Sequence, residues 1–132
     1  MTSRSASPPP PPGPPLVDWP AFEDEYDRQQ PVVERLVSTV LQSRSGYPDK
    51  LRAAAASGDV GTIRFVAHGL KTVGGLIKCQ RLRDVARSAE QAARDGAPGA
   101  PALAVELAET LALTLAELGA RFPGAVPGPA GG

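Results

Sequence analysis

From Trp19 to Arg121 apolar residues return at every third or fourth position, and no segment alternates apolar with polar side chains as a strand does. An α-helix gathers residues of that spacing onto one face, so the pattern restricts the chain to an all-α fold. Asp18 is placed to cap a short first helix, Trp19 to about Arg28, with Pro20 tolerated in its first turn and Trp19 and Phe22 as apolar contacts. A second helix opens at Pro31 and carries Val33, Leu36, Val37, Val40 and Leu41. The stretch "SRSGYP", with Gly46 and Pro48, breaks or kinks it before Asp49 to Ala56 resume, and Ser57 and Gly58 close that arm. Asp59 caps a third helix, in which Val60, Ile63, Ala67, Leu70, Gly74 and Ile77 form one apolar face. A fourth, Cys79 to Asp95, buries Leu82, Val85, Ala86, Ala89 and Ala93 and stops at Gly96. Pro98 and Pro101 mark the next loop, and the last helix, about Ala102 to Arg121, carries Leu103, Leu107, Leu111, Thr114 and Leu118. Short loops between long helices make neighbours antiparallel, so the expected architecture is an up-down four-helix bundle with the short N-terminal helix laid across one end.

The two ends contribute little that can be buried. Residues 1–16, "MTSRSASPPPPPGPPL", favour extended polyproline conformations and read as a disordered leader or spacer; residues 123–132 are a Pro/Gly-rich disordered tail. Residues 17–122 are then the folded domain, large enough for a modest core. The 14 basic and 14 acidic residues cancel, which removes any whole-chain electrostatic argument for nucleic acid or an anionic membrane. The single cysteine, Cys79, fits a reducing compartment, and neither a membrane span nor a signal peptide is legible. A cytoplasmic, monomeric protein is expected, with an initial Met and two flexible ends that favour a free-standing chain.

The stretch "RFVAHGLKTVGG", Arg64 to Gly75, holds the only histidine. His68 follows Ala67, at the margin of the apolar face, so its imidazole has protein on one side and water on the other. At helical spacing its neighbours are Arg64 and Phe65 on the preceding turn, Lys71 and Thr72 on the next, and Gly75 two turns on. A neutral imidazole nitrogen is a competent nucleophile, and a cation one turn away suits the oxygens of a transferred phosphoryl group. Gly74 and Gly75 thin the surface beside it for a close-approaching protein. On spacing alone, however, a boundary histidine is more often a surface or packing residue than a reactive one. One His, one Cys and scattered carboxylates supply no metal site. Glu90 and Arg94 read as an i,i+4 pair that supports its helix, and Lys78, Arg81 and Arg83 as a solvated helix start with a secondary potential to meet an acidic surface.

Over a longer window, "DVGTIRFVAHGLKTVGGLIKCQRLRDVARSAEQAARDG" resembles the histidine-containing phosphotransfer (HPt) domain of bacterial multistep phosphorelays. The similarity rests on Asp59, on Ala67-His68-Gly69-Leu70-Lys71, on Gly75, and on Glu90, Arg94 and Gly96; upstream, "LRAAAASGD" is similar to the family's Leu-x-x-Ala stretch. It covers roughly residues 17 to 122 and is strongest from 51 to 96. The family usually has Gly directly after the Lys and another six residues later, where this chain has Thr72 and Lys78.

What the resemblance implies is a phosphorelay intermediate. His68 would be the phosphoacceptor, Lys71 its phosphate partner, and Arg64, Phe65, Thr72, Gly75 and Lys78 the docking surface. The partners implied are response-regulator receiver domains and a hybrid or other histidine kinase. The chain would need no cofactor of its own, Mg²⁺ being held by the receiver, and without a Gly-rich ATP-binding region it has no independent kinase activity. The alternative is a non-catalytic helical adaptor that keeps the fold and binds a signalling partner without phosphorylation.

Overall fold

The computed structural model describes residues 15–26 and 30–126. The expectations for a disordered leader and tail fall, for residues 1–14 and 127–132, outside the described residues, as does the end of the first helix beyond Tyr26. Among the described residues all regular structure is helical: α1 (Trp19–Tyr26), α2 (Gln30–Arg44), α3 (Tyr47–Ser57), α4 (Val60–Leu76), α5 (Gln80–Asp95), α6 (Ala100–Arg121) and a 3₁₀ turn at Pro123–Ala125. Of the break or kink expected at Gly46 and Pro48, the structure has the break, so the arm is two helices. Gly46 adopts a turn between them, and Pro48 sits in the first turn of α3, where its missing N–H costs nothing.

Local sequence accounts for the ends that frame the site. Gly58 closes α3 in the left-handed conformation at φ 71°, and Gly96 closes α5 in the same way at φ 64°. Asp59 caps α4: its carboxylate accepts from the Thr62 backbone N–H at 3.1 Å and from the Thr62 hydroxyl at 2.7 Å. These bonds hold the Asp59 carboxyl below the usual carboxylate range. The α4–α5 connection is tighter, with the Cys79 N–H donating to the Gly74 carbonyl at 2.8 Å.

The core runs along α4, which packs on α5, and along α6, which packs on α3 and α5. Ile63, Ala67, Leu70, Gly74 and Ile77 are buried as the periodicity requires, joined by Val66 and Val73. Val60 departs from expectation, 39 % exposed, because at the first helical position it stands beyond the packed length of α4. Gly74 also departs. It does not thin the outer surface: a Cβ there would lie 2.9 Å from the Arg83 backbone nitrogen, so its bare Cα is what lets α5 cross close to α4. Cys79 is buried with Sγ 3.7 Å from Thr114 Oγ1, and burial pushes its thiol up, as fits a small packing residue.

The N-terminal segment is fastened across the α4–α5 turn. Glu117 of α6 accepts from the backbone N–H groups of Leu16 and Val17 and from Trp19 Nε1, each at 2.9 Å. The Asp18 N–H donates to the Lys78 carbonyl and the Tyr26 hydroxyl to the Leu76 carbonyl. Phe22 is enclosed by Trp19, Tyr26 and Phe122 at centroid distances of 5.0–5.8 Å. Among the described residues, packing takes in Leu16 near one end and Ala125, buried in the 3₁₀ turn, near the other.

Candidate functional site

His68 leaves α4 halfway along its length, and its side chain is 70 % exposed. The helix accounts for this: Ala67 and Leu70 on either side are fully buried, and a 3.6-residue turn carries the position between them outward. The imidazole is exposed but not free. Its Nδ1 lies 2.7 Å from Glu90 Oε2 on α5, and that carboxylate is 5 % exposed. A carboxylate accepts and cannot donate, so Nδ1 carries the proton; in the neutral ring the lone pair is on Nε2, the nitrogen turned away from Glu90.

Glu90 is held from three sides. Lys71 Nζ is 2.5 Å from Oε1, and Arg94 Nη2 is 3.4 Å from Oε2, from the next turn of the same helix. The hydrogen bond from Lys71, and after it that from His68, keep the carboxyl below the usual glutamate range against the opposing effect of burial. Glu90 is thus an anion at neutral pH. One carboxylate between two permanent cations leaves the site net positive, which suits a phosphoryl group arriving at Nε2.

The other residues singled out in the sequence separate. Arg64, Phe65 and Thr72 are exposed on the His68 side of α4, Phe65 at 72 %. Gly75 is half-exposed, and an added Cβ would meet nothing within 4 Å. Lys71 is beside His68 as expected, but its ammonium is engaged by Glu90 and it stands 31 % exposed. Lys78 turns away: its ammonium lies 3.4 Å from Glu25 of α1, and its backbone takes φ 59° at the end of α4. That is the left-handed region where glycine is favoured, which gives a physical reason for the glycine usual there in HPt-like sequences.

Glu90 is the residue that sequence reading missed as part of a site. Local spacing makes it half of an i,i+4 pair with Arg94, and that pair exists, but at 3.4 Å it is the longest of the three contacts. The overlooked signal is phase. Glu90 falls four residues after Ala86 on the buried face of α5, where a carboxylate must have partners from the facing helix. Among the described residues no cluster of three or more His, Cys, Asp or Glu suits a metal ion, and no helix is long and apolar enough to cross a membrane.

Comparison with known families adds one finding. The family model described as Hpt domain matches residues 35–121, well over half of the 132 residues and inclusive of His68, Lys71, Glu90 and Arg94. Nothing among curated proteins or solved structures matches.

Proposed function

The chain belongs to the Hpt domain family, whose function is histidine phosphotransfer in phosphorelays, and we propose that it does this work through His68, taking a phosphoryl group from a receiver-domain aspartyl phosphate and passing it to another receiver. The observation that carries the reading is the exposed imidazole whose Nδ1 is held at 2.7 Å by a buried carboxylate. The Nε2 lone pair attacks phosphorus as the bond between phosphorus and the aspartyl oxygen breaks, and the electron pair of that bond leaves with the receiver's carboxylate. Nδ1 keeps its proton, so the phosphorylated ring is a cation, and Glu90 lies against it as a counter-charge. Return transfer reverses these bonds. Lys71 and Arg94 hold Glu90 in place and add positive charge on the side from which the phosphoryl oxygens approach.

The partners of this reading are receiver domains and a hybrid or other histidine kinase, with the chain acting as a monomer in the cytoplasm. It supplies no cofactor; the divalent cation that activates the aspartyl phosphate belongs to the receiver. The short connections Gly58–Asp59, Ile77–Cys79 and Gly96–Gly99 support an up-down order for the arm α2–α3 followed by α4, α5 and α6, with α1 across one end. That order leaves the middle of α4 open to a docking receiver.

The test is incorporation of acid-labile phosphate from a phosphorylated receiver. The wild type becomes labelled and His68→Gln does not. A wild type that binds receivers without accepting phosphate would replace this reading with the adaptor, and labelling that persists in His68→Gln would place the phosphate on a residue other than His68.

A further inference from the structure

Beside His68, on the α5 side, lies an open groove of about 360 Å³ lined by Lys71, Thr72, Gly75, Arg83 and Arg87. Its charge is unbalanced. Lys71 is answered by Glu90, whereas Arg83 and Arg87, four residues apart on one face of α5, have no carboxylate partner among the described residues. Asp84, their neighbour in sequence, is instead bonded to Gln80 Nε2 at 2.7 Å. The placement has a cause in packing: with no Cβ at Gly74, the backbone of Arg83 closes onto α4 beyond His68 and brings its side chain to the edge of the groove. Arg64, exposed one turn before His68, lies on the same flank.

The opposite flank is apolar. Phe65 and Leu76 are 72 % and 44 % exposed. By helical rotation they stand roughly 60° and 80° from His68, on the side away from Lys71. The imidazole therefore sits on a ridge between a cationic and an apolar edge, in a chain whose net charge is zero. A partner with both edges to match fits over that ridge in one rotational setting.

We infer that Arg83 and Arg87 read an acidic rim on the receiver domain that docks over His68, and so decide which receivers exchange phosphate with this chain. The inference rests on the phosphotransfer reading. The chemistry places acid on the partner, because a pocket that holds a divalent cation beside an aspartyl phosphate is built from carboxylates, and these must come close to Nε2 for transfer. Within the groove Lys71 cannot answer them without leaving Glu90. Arg83 and Arg87 can do so at once, steering the encounter through their charge and fixing the rotation through their forked donors.

The experiment is single-turnover transfer to His68 from a panel of phosphorylated receivers, comparing wild type with Arg83→Gln/Arg87→Gln, Arg83→Lys/Arg87→Lys and, as a control outside the groove, Arg52→Gln on the exposed side of α3. For the receivers that the wild type uses, the double Gln variant should lower the second-order rate constant about tenfold at low ionic strength and flatten its salt dependence. The rate at saturating receiver should stay within about twofold, because the rim does not touch the reacting atoms. The double Lys variant should recover most of the encounter rate, and Arg52→Gln should match wild type. Transfer that is labelled on His68 but has the same second-order constant and salt slope in the double Gln variant overturns the inference alone. Failure of every receiver to label His68 overturns the phosphotransfer reading and this inference together.

Discussion

Glu90→Gln tests the site at its centre, because the amide keeps the volume of the side chain and one acceptor oxygen but removes the negative charge. When His68 carries phosphate on Nε2 and a proton on Nδ1, the ring is a cation with a Glu90 oxygen 2.7 Å from Nδ1. Unit charges with centres about 4 Å apart attract by about 1 kcal/mol in bulk water and about 4 kcal/mol at an effective dielectric constant of 20. His68 is 70 % exposed, which puts the interaction toward the aqueous end, about 1 to 2 kcal/mol. Part of that charge has developed in the transition state, so Glu90→Gln should slow phosphorylation by about two- to fivefold and lower the equilibrium constant for forming phosphohistidine by about five- to thirtyfold. Rapid-quench transfer from a labelled receiver, with acid lability identifying the product, measures both. Stability supplies the companion readout. Glu90 titrates below its ordinary value in the folded chain, so its contribution is complete above about pH 4.3 and is lost as pH falls through the lower folded value. The difference in melting temperature between wild type and Glu90→Gln should therefore shrink as the pH is taken below about 4. A folded Glu90→Gln protein that transfers phosphate at the wild-type rate and yield would refute the assignment of Glu90 as counter-charge to the imidazole.

Leu70→Ala should cost about 2 to 5 kcal/mol in chemical denaturation, since Leu70 is fully enclosed; an unchanged midpoint would mean that α4 is rotated from the register described. Gly74→Ala should destabilise by about 1 to 3 kcal/mol, because the Arg83 backbone stands where the methyl group would go, whereas Gly75→Ala, facing open space, should be neutral or slightly stabilising. Lys78→Gly should stabilise by about 1 kcal/mol, as relief of the left-handed backbone outweighs loss of the exposed Glu25 pair, and a lower melting temperature would show that the ion pair dominates. Thr72→Gly should accelerate transfer by opening the surface one turn beyond His68, and Thr72→Val should leave it unchanged; slowing in both would assign the Thr72 hydroxyl to the phosphoryl oxygens.

How far the sequence discloses such a molecule depends on whether an interaction lies along one helix or between two. The apolar stripes of α4, α5 and α6 are properties of single helices, and Leu70, Leu82, Ala89, Leu107 and Leu118 are all enclosed where a 3.6-residue period puts them. The same holds for the Asp59 cap, for the glycine stop at Gly96, and for the outward position of His68 one residue past Ala67. Gly46 and Pro48 announced an interruption, but whether it bends one helix or separates two depends on how α3 packs against α6, which no local rule contains. The docking of Leu16 and Trp19 on Glu117 is hidden for a like reason: it spans about a hundred positions, and nothing near Glu117 distinguishes it from the other acids of α6. Glu90 lies between these cases. The i,i+4 rule found its weakest partner, Arg94, because that rule looks only along the helix. The burial pattern held more, since a carboxylate that continues the stripe Leu82, Ala86 and Ala93 cannot be left without donors. α5 follows α4 after a three-residue turn, which makes α4 one of its neighbours, and α4 offers His68 and Lys71, an imidazole and an ammonium one turn apart. Joined to the short connection, the stripe locates the partner of the histidine without coordinates, and what is left to the structure is the 2.7 Å contact that turns Nε2 outward.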